Sequence, residues 1–190
     1  MYREFVEAAG SCMPLQKSNA YGLYHARALY EGQRSCTEKK RVVNLTRNGY
    51  AGSQKYGTIL WSGDIYASWD TLKKQIAAGL HFCASGLPYW TLDIGAFFVK
   101  KGEPWFWNGD YEEGCADPGY RELYVRWFQY GDLLPIFRSH GTDCRREPWN
   151  FGKKGEPFYD AILASIHLRY RLLPYIYSVS YTHLRAHETS

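Results

Sequence analysis

The chain has 190 residues and a formal net charge of +4, and 45% of its residues are hydrophobic. That length suits one domain or part of a larger one, with enough apolar residues to form a core. The basic residues form no long run, which argues against a nucleic-acid surface. No apolar segment approaches the roughly 20 residues that a membrane span needs, and the first residues lack the apolar core of a signal peptide. The compartment, cytoplasmic or periplasmic, stays open.

Aromatic residues and cysteines say little by their number alone. Aromatic residues make up 17% of the chain; they line sugar sites, but they also fill ordinary cores, and the count favours the core. The cysteines are odd in number, widely spaced and without a CxxC pair: Cys12, Cys36, Cys83, Cys115 and Cys144. A zinc site and a disulfide framework are therefore poor interpretations. We expect free, partly buried thiols, which mildly favours a reducing compartment.

Hydrophobic patterning predicts short strands alternating with helices. Helices are predicted over residues 19–34, 68–82, 120–130 and 156–178, and strands over 41–46, 57–61, 87–92 and 133–137. Ser68 is a suitable N-cap, and Pro174 should kink the last helix. Such alternation implies parallel βα units, and four units are half of an eight-stranded barrel, which needs about 250 residues. The predicted fold class is α/β, a partial (β/α)8 TIM barrel.

Polar side chains stand at the ends of these strands: Arg47, Asp64, Asp93, and Arg138 with His140. Because the carboxyl ends of parallel strands lie on one face, we expect these groups to converge. Asp64 follows the turn Ser62-Gly63 and precedes a helix, which is where α/β barrels place catalytic groups. We therefore take Asp64 as the centre of the site.

Each candidate also has a purely structural interpretation. Asp64 suits a helix N-terminus as well as a catalytic position, judged from spacing alone. Arg47 could form a surface ion pair, Asp93 could cap a turn, and His140 could be a buried core histidine. Residues 105–107, Trp-Phe-Trp in a long loop, could stack on a sugar or simply pack the loop. Metal-ligand spacing is absent, so no metal site is expected.

Taken together, four stretches resemble glycoside hydrolase family 31, the retaining α-glucosidases and α-xylosidases. They are Leu45–Gln54, Trp61–Asp64, Gly86–Phe97 and Phe137–Gly141. The resemblance covers about residues 14–178 and implies strands five to eight of the catalytic barrel with their helices. It implies that Asp64 is the general acid/base, and it assigns substrate binding to Arg47, Trp61, Asp93, Phe97, Arg138 and His140.

One departure from the family matters greatly. The family's nucleophile is an Asp in a Trp-x-Asp motif ending strand four, and no such motif precedes Arg47. We expect a nucleophile outside this chain, and an inactive isolated chain. Residues 1–179 form the predicted half-barrel, whereas residues 180–190 change character and are expected to be a non-native tail without function.

The resemblance implies hydrolysis of terminal α-linked glucose or xylose from oligosaccharides, with no cofactor. The expected partner is the oligosaccharide substrate, with neither nucleic acid nor membrane, and the oligomeric state is open. From a different functional class, a non-catalytic carbohydrate-binding or scaffold remnant remains the alternative.

Overall fold

The computed structural model describes Glu4, Glu7, residues 15–101 and residues 109–188, without side chains beyond residue 182. The chain divides into two compact units, Met1–Leu60 and Trp61–Ser190. The helices are α1 (Tyr21–Cys36), α2 (Trp69–Ala84), α3 (Pro118–Gly131) and α4 (Pro157–Glu188). The strands are β1 (Asn44–Thr46), β2 (Thr58–Trp61) and β3 (Trp90–Thr91). No helix among the described residues is long and apolar enough to cross a membrane.

In the first unit, β1 and β2 pair in parallel, with Asn44 opposite Thr58. The buried Asn44 amide donates to the carbonyl oxygen of Tyr56 at 2.9 Å, which ties the start of β1 to the turn before β2. Gly57 occupies that turn with a φ of 65°, and a Cβ there would stand 2.3 Å from the Val42 oxygen. The parallel pairing confirms the predicted βα organisation, although β1 is shorter than the predicted strand.

In the second unit, local capping signals place the helix starts. The Ser68 hydroxyl accepts a hydrogen bond from the Thr71 amide at 3.1 Å, so the predicted N-cap is confirmed. Asp117 does the same for α3, accepting from the Gly119 amide at 2.8 Å. The predicted end of α4 at residue 178 is wrong. Pro174 lies inside a helix that continues to residue 188, and the Thr182 hydroxyl donates to the Ser178 carbonyl one turn earlier.

Aromatic side chains of α3 build the core of the second unit. Tyr120, Tyr124 and Trp127 are fully buried on one face of the helix. The Tyr124 ring stacks on that of Phe151, with centroids 4.1 Å apart. At these positions the aromatic residues fill the core, as their number suggested.

The predicted strand over residues 133–137 is wrong, because carbonyl oxygens of this segment accept hydrogen bonds from a side chain and not from a neighbouring strand. The buried guanidinium of Arg169 on α4 donates to the main-chain oxygens of Asp132, Leu134 and Pro135. Proline also has no amide hydrogen for a strand ladder. The segment is therefore an irregular connection anchored to α4.

Candidate active site

Asp64 stands on a bend just after β2, and its side chain is half-buried. Gly63, before it, has a φ of 82°, a left-handed conformation that favours glycine and turns the chain sharply. The segment after Asp64 leads into the N-cap at Ser68. The strand-turn-helix context predicted for Asp64 is therefore confirmed.

The segment after Asp64 is bonded to the segment after Asp93. The Phe97 amide donates to the Ile65 oxygen at 2.8 Å, and the Ala67 amide donates to the Phe98 oxygen at 2.8 Å. Tyr66 and Phe98 form an isolated parallel bridge. These bonds fix one strand end relative to the next.

Asp93 follows β3 and has no exposed surface. Its Oδ1 accepts a hydrogen bond from the Arg138 guanidinium, and its Oδ2 has no hydrogen-bond partner among the described residues. Burial raises the pKa of Asp93, and the charge of Asp64 raises it further. Arg138 and His140 oppose this rise in pKa. Four predicted site residues thus share one electrostatic environment.

Main-chain contacts hold Arg138 and His140 beside Asp93, although no strand precedes them. Ile94 and Ser139 form a parallel bridge, and the Ile94 amide donates to the Arg138 oxygen at 3.2 Å. The exposed His140 ring lies 5.7 Å from the half-buried Phe97 ring, centroid to centroid. A core-histidine interpretation of His140 is therefore wrong, because its side chain is exposed in this chain.

Arg146 joins the segment after Asp93 to the loop after His140, and the sequence analysis missed it. Its buried guanidinium donates to the oxygens of Ala96 at 2.7 Å and Phe97 at 3.1 Å. It also donates to the oxygens of Thr142 at 2.9 Å and Cys144 at 2.8 Å. Five N–H donors in a rigid fork suit this use. No local pattern marks it, since its loop partners are up to 50 residues away.

The remaining candidates are Arg47, Trp61 and the aromatic residues 105–107. Arg47 belongs to the first unit, where it directly follows β1 with an exposed side chain. Trp61 is the last residue of β2 and is half-buried. The aromatic residues 105–107 lie outside the described residues. Within the described ranges, no group of three or more His, Cys, Asp or Glu side chains is arranged to hold a metal ion.

Successive strand ends carrying polar side chains on one face define a segment of an α/β barrel. Residues 8–179 match the family model described as the glycosyl hydrolases family 31 TIM-barrel domain. The chain belongs to this family, and its fold is a partial barrel of that type.

Relatives with known names agree with the family. The chain is 47% identical over 163 residues to an alpha-xylosidase of Saccharolobus solfataricus, covering 86% of this chain and 20% of that protein. It is 41% identical over 171 residues to mouse neutral alpha-glucosidase C, covering 87% and 16%. The solved family 31 alpha-xylosidase of Xanthomonas citri matches with a TM-score of 0.76 and 42% identity, covering 88% and 18%. The chain thus spans about a fifth or less of these relatives' length.

Proposed function

We propose that this chain forms part of the catalytic barrel of a retaining α-glycosidase that removes terminal α-linked glucose or xylose from oligosaccharides. The observation that carries the proposal is the common environment of Asp64 after β2, Asp93 after β3, and Arg138 and His140 in the segment bridged to Ile94. Membership of family 31 supports it, because the named relatives are an alpha-xylosidase and an alpha-glucosidase.

Asp64 acts as the general acid/base in this proposal. A retaining glycosidase needs two carboxyl groups roughly 5–5.5 Å apart. One attacks the anomeric carbon, and the other protonates the leaving oxygen and later takes a proton from water. Asp64 does the second job, and the nucleophile comes from outside this chain. The half-buried position of Asp64 after a glycine turn suits a carboxyl group that must contact both the sugar and water.

The surrounding residues bind and orient the sugar. Arg138 and the exposed His140 present N–H donors for sugar hydroxyls, and Phe97 forms an apolar wall beside His140. The buried Asp93 holds the Arg138 guanidinium in place beside the site. Arg47 and Trp61 complete the set of proposed substrate-binding residues. No cofactor enters this chemistry.

The domain limits are also a proposal. Residues 1–179 contribute to the barrel, and residues 180–190 are a tail that contributes nothing to function. The end of the family match at residue 179 supports this division.

A chimera tests the function. Residues 14–178 replace the matching span of the Saccharolobus alpha-xylosidase, to which the chain is 47% identical. The chimera should hydrolyse aryl α-xylosides or α-glucosides. Asp64→Asn should lower kcat by about 10²–10⁴-fold, the usual contribution of general acid–base catalysis. Glycosyl fluorides, whose leaving group needs little protonation, should still release fluoride in a burst, and azide should restore turnover.

The matched control is Asp70→Asn, which removes an exposed carboxylate in the first turn of α2 and should leave kcat unchanged. Equal losses on aryl glycosides and fluorides, without a burst, would show that Asp64 is only structural. A chimera that binds the sugar but is unaffected by Asp64→Asn would favour the non-catalytic alternative.

A further inference from the structure

Two cysteines far apart in the sequence meet in the second unit. Cys115 lies in the short 3-10 helix Gly114–Ala116, and Cys144 lies in the loop after His140. Both line the same cavity, the Cys144 Sγ lies 4.0 Å from where a Cβ on Gly114, the residue before Cys115, would stand, and both are free thiols of intermediate exposure. The Cys115 thiol also reaches the Arg145 oxygen. Because a thiol has one hydrogen, Cys115 donates either to that oxygen or to the Cys144 sulfur.

The surroundings make the two sulfurs unequal. When Cys115 donates to the Cys144 sulfur, this hydrogen bond lowers the pKa of Cys144 to about 7, and Arg146 and the Tyr120 hydroxyl lower it as well. Burial and the Asp143 carboxylate act in the opposite direction. The pKa of Cys115 is raised by the same hydrogen bond and by burial. Cys144 is therefore the better thiolate and Cys115 the proton donor.

Both cysteines line one open cavity of about 430 Å³. Three cations and two carboxylates share its lining with the thiols: Lys100, Arg121, Arg145, Glu113 and Asp143. This balance leaves an excess of positive charge beside the cysteines. A small molecule that carries carboxylates is therefore favoured at the cavity mouth.

We propose that Cys115 and Cys144 form a redox modification site for small, carboxylate-bearing disulfides of the glutathione type. The Cys144 thiolate attacks one sulfur of the disulfide. The bond to the other sulfur breaks, and that half leaves as a thiolate. Cys115, once deprotonated, attacks the Cys144 sulfur of the mixed disulfide and expels the second thiolate. The two cysteines are oxidised by two electrons in total, and the small disulfide is reduced. Its two leaving thiolates take up the two protons that the cysteines lost and become thiols.

The resulting bond would link the segment before α3 to the loop that Arg146 ties to Ala96 and Phe97. The proposed glycosidase mechanism uses neither cysteine, so this site is independent of it. Cys36 and Cys83 have no comparable partner among the described residues, and both are exposed. They serve as internal references for thiol reactivity.

The test incubates the full chain with oxidised glutathione at pH 7, traps free thiols with iodoacetamide and maps all cysteines by mass spectrometry. The Cys115–Cys144 disulfide should be the dominant product. In a short iodoacetamide pulse without glutathione, Cys144 should react roughly threefold or more faster than Cys83. The larger thiolate fraction of Cys144 at pH 7 would by itself make it react about tenfold or more faster than Cys83. Part of this gain is lost because a thiolate of lower pKa is a weaker nucleophile. In urea, the preference for this pair should disappear.

Two variants separate the roles of the sulfurs. Cys115→Ser should stop the reaction at a mixed disulfide on Cys144, whereas Cys144→Ser should leave Cys115 unmodified over the same time. Cys83→Ser, the matched control, should form the Cys115–Cys144 disulfide as the original chain does. Statistically distributed disulfides without urea, or a mixed disulfide mainly on Cys36 or Cys83, would overturn the proposal.

Discussion

Asp93 and Arg138 form an ion pair in which the carboxylate has no exposed surface and the guanidinium side chain keeps 23% exposure. The two residues are 45 positions apart: Asp93 follows β3, and Arg138 lies in an irregular segment whose main chain is hydrogen-bonded to Ile94. A buried charge is tolerated only when it is paired. This pair therefore joins the stability of the second unit to the geometry of the candidate site.

Breaking this pair from one side should be costly. Arg138→Met leaves the Asp93 carboxylate buried without its cation, and we expect a loss of about 3 kcal/mol in the free energy of unfolding. The double variant Asp93→Asn, Arg138→Met should be more stable than Arg138→Met alone. Urea unfolding measures both. As control, Arg126→Met removes the exposed pair with Glu122 and should cost about 1 kcal/mol or less. Equal losses in Arg138→Met and Arg126→Met would contradict the buried-pair interpretation.

The raised pKa of Asp93 predicts how stability depends on pH. Burial makes the folded chain hold this proton to a higher pH than the unfolded chain, whose carboxyl titrates near 3.8. The stability that Asp93 contributes is therefore fully present below 3.8 and is lost as the pH rises through the folded pKa. Asp93→Asn should remove this loss and flatten the unfolding free energy just above pH 4. An unchanged slope would show that Asp93 titrates alike in both states.

Gly95 should tolerate no side chain. Its φ is 84°, and a Cβ would stand 2.4 Å from the ring of the buried Tyr124. Gly95→Ala combines backbone strain with overpacking, and we expect a loss of about 3 kcal/mol or more. Gly86→Ala is the matched control, because its φ is 79° and a Cβ there meets nothing within 4 Å. It should cost only about 1 kcal/mol by thermal or urea unfolding. Similar losses in both variants would mean that the Tyr124 ring moves aside freely.

Arg169 should be needed for the fold of the segment before Arg138. Arg169→Met leaves the oxygens of Asp132, Leu134 and Pro135 without their donor. An unsatisfied buried acceptor costs about 1–3 kcal/mol, so we expect a loss of about 3 kcal/mol or more in unfolding free energy. Arg171→Met alters an exposed position of the same helix and should be nearly neutral. A nearly neutral Arg169→Met would show that water replaces the guanidinium.

The isolated chain should hydrolyse no aryl α-glucoside or α-xyloside, because the proposed mechanism needs a nucleophile from outside it. The unpaired edges of a half-barrel should also make the chain marginally stable or self-associating. A colorimetric assay and analytical sedimentation test these two expectations. Turnover by the purified chain that is lost on Asp64→Asn would show that the second carboxylate lies within these residues.

The features that the sequence predicted correctly are local. Ser68 and its following apolar periodicity predicted α2 because an N-cap and a helical face are set by residues a few positions apart. The strand-turn-helix context of Asp64 was predicted because a strand end, a glycine turn and a helix start are consecutive in the sequence. The motifs around Asp93 and His140 identified the family in the same way.

What only the tertiary structure decided depends on residues far apart in the chain. The segment 133–137 has strand-like composition, yet the Arg169 guanidinium, 34 to 35 positions away, donates hydrogen bonds to the main-chain oxygens of Leu134 and Pro135. Arg146 reaches back across 50 positions to Ala96, and Cys115 meets Cys144 without any short cysteine motif. A hydrogen-bond donor at the end of a long side chain leaves no periodic pattern in the sequence. Its partners are chosen only when packing brings the loops together.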